Sequence, residues 1–133
     1  MLVPAGVLVL VVLAAIAVDS AIAFMAQREM INRASAAASD AATVAITDAG
    51  LQQGFDARPD ASEVRRVVNE RLVGQTVAGY TVAASDVATS VSDDVVTVEV
   101  TGEVPYIFAP AVPGADRYAD IAAVGSAQLR FAE

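Results

Sequence analysis

Acidic side chains are the residues of this sequence placed where chemistry could be expected. Glu99 and Glu103 share one face of the clearest strand pattern. Paired carboxylates hydrolyse glycosidic bonds when they face each other across a cleft. Four residues apart on one strand, these two stand beyond close pairing and read as solubilising charges. Ser92-Asp93-Asp94 could offer oxygens to calcium, but a calcium loop needs alternating ligands and a distal Glu. The segment reads instead as a hairpin turn. The chain has no His and no Cys. That removes the usual neutral-pH proton shuttle, a thiolate metal site and a cysteine nucleophile. There is no GxxxxGK[ST], no Gly-rich dinucleotide loop and no GxSxG. With three Tyr, four Phe and no Trp, no aromatic sugar platform is visible. The expectation is no cofactor and no enzymatic activity.

Asp19 is the acid that demands an explanation, because of the element around it. Residues 1–18 carry no charged and no polar side chain. Residues 7–26 read VLVLVVLAAIAVDSAIAFMA, which as a helix spans about 30 Å, the thickness of a bilayer core. The β-branched valines form helix poorly in water, but in lipid an unpaired backbone is the larger penalty. An unpaired carboxylate at that depth is expensive. Two readings follow: Asp19 sits near the headgroups or protonates, or it contacts a partner helix in an assembly. A proton relay would need further buried ionisable groups, and the anchor has none. Ala21-Ile22-Ala23 resembles a small-x-small signal cleavage site, without a basic segment before it.

The rest of the chain is acidic. Sixteen Asp plus Glu stand against eight Arg and no Lys, a net charge of -8 in 133 residues. Nucleic acid is excluded as a partner, since phosphates need a basic footprint. Arg28 and Arg33 follow the anchor and nothing basic precedes it, so the positive-inside rule read alone holds the C-terminal side in the cytoplasm. Glu29 and Asp40 partly offset them.

Beyond the anchor the sequence is Ala-rich and free of Pro, with Gly50 near its end. Alanine is the strongest helix former. Met30, Ala34, Ala37, Ala38, Ala41, Ala45 and Leu51 recur at helical spacing. Glu29 and Arg33 form an i,i+4 pair in the favourable order. The spacing predicts one helix from about residue 5 to about residue 50, roughly 70 Å long. Its narrow stripe of small side chains permits close helix packing, either over a sheet or against neighbouring copies.

The head is expected to be α+β. Residues 55–60 form a turn. Asp60 and Glu63 fit a capping box that opens a short helix. Val64, Val67, Val68 and Leu72 form one face of that helix, which ends near Val73 or Gly74. Arg65, Arg66, Glu70 and Arg71 read as a solvated face. Tyr80, Val82 and Ala84 alternate with Thr81 and Ala83, with a weak continuation through Val87, Thr89 and Val91. In the next strand Val96, Val98, Val100 and Val104 take one side and Thr97, Glu99, Thr101 and Glu103 the other. Gly102 suggests a bulge or twist. Residues 105–118 are a Pro-rich connection, with Tyr106, Ile107 and Phe108 expected against the sheet edge or the stem. Ile121, Ala123, Gly125, Ala127, Leu129 and Phe131 line one side of the last strand and leave room for the Ala-rich helix to lie close. The fold class is thus a long N-terminal transmembrane and stem helix, one short helix and a small antiparallel sheet of about three strands. The divisions are residues 1–26 as anchor, 27–54 as extracytoplasmic stem and 55–133 as head.

Residues 8–42 resemble the N-terminal region of TadE/TadG-like proteins, the pseudopilin-like components of tight-adherence (Flp) pilus systems. In that family an apolar anchor ends in Ala-Val-Asp, here Ala17-Val18-Asp19. An aromatic position follows, here Phe24. Gln27-Arg28-Glu29-Met30-Ile31-Asn32 stands for an Arg-Glu-Leu-x-Asn-like box, and residues 34–42 for the alanine-rich run. The resemblance implies a pilin-like, single-pass membrane protein with its C-terminal domain outside the cytoplasmic membrane. Its partners would be the lipid bilayer, other pilins or minor pilins, the membrane secretion platform and copies of itself, with localisation extending to an extracellular pilus. It implies no cofactor and no catalysis. Relatives processed as prepilins are cut near a Gly and a following Glu ahead of the apolar segment, and this chain has neither ahead of Pro4. Candidate assembly contacts are Asp19, Phe24, Arg28, Glu29, Asn32, Tyr106 and Phe108. Two other classes stand beside this one: a membrane-anchored binding module or adhesin, and a secreted enzyme with a cleaved signal.

Overall fold

The computed structural model describes the backbone of residues 2–52 and 60–130, and the side chains of residues 3–47 and 60–130. The expected turn at residues 55–59, the end of the stem at 53–54, and the side chains of Leu51 and Phe131 lie outside these.

The uninterrupted helix-forming sequence gives one helix, α1 (Leu2–Gln52), about 75 Å long at 1.5 Å per residue. Residues 3–18 touch almost nothing: Val7, Leu8, Leu10, Leu13 and Ile16 are all more than half exposed. The helix meets the predicted length and apolarity for a single membrane span. From Ala26 onward one stripe is covered. Met30, Ala34, Ala37, Ala38, Ala41 and Ala45 are buried, as their spacing predicts.

Asp60 caps α2 (Ala61–Leu72) by accepting from the Ser62 backbone N–H at 2.9 Å. The capping box is only half made, because Glu63 turns to Arg66 instead. Val64, Val67, Val68 and Leu72 are buried, and Arg71 pairs with Asp40 of α1 at 3.1 Å. Arg65, Arg66, Glu70 and Arg71 are exposed, the solvated face expected of them.

The predicted strand over 80–84 breaks into two elements. Ala78 and Gly79 both have positive φ (48° and 85°), a two-residue turn of the kind that closes hairpins. It joins β1 (Thr76–Val77) to β2 (Tyr80–Thr81). A single 3-10 turn, Ala84–Asp86, then redirects the chain, held by the Asp86 carboxylate accepting from the Ala83 N–H at 2.9 Å. The main sheet follows: β3 (Val87–Ser92), β4 (Val95–Pro105) and β5 (Tyr118–Gln128), antiparallel in the order β3-β4-β5. Asp93, at φ 52°, makes the β3–β4 turn. Val96, Val98, Val100, Val104, Ile121 and Ala123 point inward and are buried.

Helix α1 lies over β5 and β4, and α2 packs on α1 and β3. The approach of α1 is closest at Gly125. A Cβ there would overlap the Ser35 backbone nitrogen and the Ala34 carbonyl carbon. Gly102 makes no bulge, since it pairs in register with Ile121. Its missing side chain leaves room for the Tyr80 ring, which a Cβ would meet at 2.8 Å.

Candidate functional site

The anchor and the head meet at Asp19, which is 95 % removed from solvent although its neighbours on α1 are bare (5 % exposed). The segment that covers it is the connection between β4 and β5. Pro105 ends β4, and the Tyr106 N–H bonds back to the Arg117 carbonyl at 2.9 Å, closing the neck of a loop. At its tip residues 109–111 form one 3-10 turn with Pro110 in its first turn. The N–H groups entering such a turn have no partner within it.

Asp19 supplies the partner. Its Oδ1 accepts from the N–H of Ile107 at 2.9 Å and of Phe108 at 3.2 Å. Its Oδ2 accepts from Phe108 at 3.1 Å and Ala109 at 2.8 Å. Three consecutive backbone donors thus close on one carboxylate. Chemically this is a clamp: charge-assisted hydrogen bonds fix a loop of the head to one position on the anchor. Of the two readings of Asp19 drawn from its sequence context, neither headgroup solvation nor a partner helix supplies these contacts. The donors come from its own chain.

The loop and α1 enclose an apolar groove of about 530 Å3. Val11, Val12, Ala15 and Ile16 form its floor, and Tyr106, Phe108, Val112 and Ala115 its wall. Tyr106 is half-buried, whereas Ile107 and Phe108 are 62 % and 45 % exposed, so those two side chains are not tucked against sheet or stem as expected.

The structure therefore brings together Asp19, Tyr106 and Phe108. Phe24, Arg28, Glu29 and Asn32 are elsewhere. All four are exposed. Phe24, Arg28 and Asn32, at four-residue spacing, share the side of α1 turned away from the head. Glu29 pairs with Arg33 at 2.8 Å, and Arg33 also reaches Gln75 at 3.1 Å. Further along α1, Ser39, Thr43 and Thr47 each donate to the carbonyl four residues back, at 2.9–3.0 Å. Sequence reasoning missed Ile107 and Ala109 as Asp19 partners, because they act through the backbone. The signal that could have found them is the absence of charge from residue 104 to residue 115.

Other charged groups make local structure. Arg66 of α2 donates to both Glu63 and Glu70, and its hydrogen bonds hold the Glu63 carboxyl below the ordinary range. The hydroxyl and backbone N–H of Ser62 do the same for Asp60. Among the described residues no three His, Cys, Asp or Glu side chains gather where they could hold a metal ion. No protein-family model, no curated protein and no solved structure matches the chain.

Proposed function

We propose that the chain is a pilin-like minor subunit or assembly factor of a tight-adherence (Flp-type) pilus, acting by membrane anchoring and subunit packing. The observation that carries this reading is the bare apolar half of α1 continuing without a break into a half gripped by a small head. The bare half holds the subunit in the bilayer, or in a filament core after extraction. The outward side of the stem is suited to a second copy or another pilin. From residue 36 to residue 47 the exposed side chains there are small, Ala36, Ser39, Thr43 and Thr47, and the three hydroxyls are already satisfied within α1, so covering them strands no donor. The secretion platform would engage the same rod. In this reading Asp19 sets the angle between rod and head, and the head lies outside the cytoplasmic membrane.

Fractionation of producing cells tests anchoring, and sheared-pilus preparations test assembly. The full chain is expected in the membrane pellet, released only by detergent, with its head open to protease added outside. Recovery from the soluble fraction without detergent overturns anchoring. Asp19→Ala is expected to insert normally. Without the carboxylate the amides of residues 107–109 should exchange about tenfold faster or more, because their protection comes from this clamp. The yield of sheared pili should fall. Normal pilus yield with a freed loop would detach the clamp from assembly.

A further inference from the structure

Irregular backbone survives at bilayer depth only when its polar groups are satisfied inside the protein. The N–H groups of residues 106–112 meet that condition. The Tyr106 N–H goes to Arg117, and those of Ile107, Phe108 and Ala109 go to Asp19. Pro110 has none, Ala111 donates to Phe108 at 3.0 Å and Val112 to Ala109 at 2.9 Å. Water is needed by no N–H in that run, although the run lies on the outside of the head.

Its side chains carry no charge that would hold it in water. Residues 104–115 contain no charge, and Ile107, Phe108 and Val112 are 62 %, 45 % and 54 % exposed. Position decides what covers them. The groove wall reaches down beside Val11, about 12 Å along the helix axis from Asp19 toward the N-terminus. Val11, Val12, Ala15 and Ile16 belong to the apolar stretch that any span of this helix must place in hydrocarbon. The exposed loop is continuous with that surface.

We propose that the loop of residues 106–112 is a second membrane element, a wedge seated among the acyl chains of the leaflet on the head side, with Asp19 as the internal acceptor that lets its N–H groups enter. The occupant of the groove is lipid hydrocarbon. The inference rests on the anchoring part of the functional reading and not on pilus assembly. It also assigns Asp19 a role in the anchor: the charge is admitted because three donors enclose it.

The chain has no Trp, so single indoles report their own surroundings. The full chain is reconstituted in phosphatidylcholine vesicles with mid-chain brominated acyl groups. Leu10→Trp reports the anchor, Phe108→Trp and Ile107→Trp the wedge, and Val124→Trp the outer face of β5, where the native side chain is 56 % exposed. The expected result is blue-shifted emission at 10, 107 and 108, with bromine quenching at the loop of the same order as at 10, and none at 124. Quenching at 10 without quenching at either loop position overturns the wedge and leaves the anchor standing. Quenching at none of the three overturns both. Loop indoles shielded from bromine until the protein is diluted in lipid point to a second copy on this face, and they also overturn the proposal.

Discussion

The two halves of α1 solve opposite problems with one backbone. Over residues 3–18 the large aliphatic side chains face outward, with Leu8 and Leu10 at 66 % and 67 % exposure. Over residues 26–45 the outward positions are small or polar apart from Ile31, and the buried ones are Ala apart from Met30. A helix of a water-soluble protein places its bulk inward. Here, among the described residues of α1, Met30 is the one large apolar side chain fully buried. The first half gains little from burial within the chain and is long and apolar enough to cross a membrane. The second half buries little area per residue, about 25 cal/mol for each Å2 removed from water. Its stability comes instead from near approach of helix to sheet, where many atom pairs reach contact distance.

Gly125 is where that contrast can be broken with the largest effect. The atoms a side chain would meet are backbone atoms of Ala34 and Ser35, which cannot swing aside. Gly125→Val is expected to lift the stem from the sheet and cost about 3 kcal/mol of head stability. Denaturant unfolding in detergent micelles measures it. Membrane fractionation should be unchanged, because the bare half does not use the sheet. A variant with the native unfolding midpoint would mean that the stem is not held by proximity. A variant lost from the membrane would mean that the halves are not independent.

That division was largely legible in the sequence. Six of the stripe positions expected at helical spacing are buried, and both long strands show the predicted faces. Period-based reading succeeds where burial alternates with residue type. It failed over residues 82–86, where the chain leaves the hairpin closed by the positive-φ residues Ala78 and Gly79 and turns at the Asp86 carboxylate, and it resumed through Val87, Thr89 and Val91 in β3. Neither the hairpin turn nor the carboxylate leaves a periodic trace. The Asp19 clamp was half legible. An acid in an apolar block announces that it needs donors, but its donors are backbone N–H groups 88 to 90 residues away. Backbone donors carry no residue signature beyond the uncharged run of residues 104–115. At Gly102 the sequence suggests a bulge or twist, because a strand glycine commonly marks one. The alternative, an approaching ring, depends on a residue from another hairpin.

Gly102 sharpens the comparison, because its neighbour is movable. A Cβ there meets the Tyr80 ring at 2.8 Å, whereas at Gly125 it meets main chain. Gly102→Ala is therefore expected to cost less, about 1–2 kcal/mol. Most of that cost should vanish in a Tyr80→Ala background, measured by a double-mutant cycle of unfolding midpoints. An equal cost in both backgrounds would place the strain in β4 and not in the ring. The contrast between a yielding and an unyielding neighbour would then fail.

How far the ring yields depends on what pins it, and this gives the smallest effect. The Tyr80 hydroxyl donates to the Asp86 carboxylate, and only the neutral phenol can do so. That hydrogen bond, with burial and the negative charges of Asp86 and Glu103 behind it, pushes the Tyr80 pKa from 10.0 up to about 12. The folded state holds this proton more tightly than the unfolded chain. Its contribution to stability is thus fully present below pH 10.0 and is lost as pH rises through about 12. Absorbance titration of the phenolates should show a late-titrating component that a Tyr80→Phe variant lacks. Asp86→Asn removes the charge and the ionic acceptor, so the late midpoint should fall back toward the ordinary tyrosine value. If it stays high, burial alone holds the proton, the ring is free to swing, and the cost of Gly102→Ala should shrink accordingly.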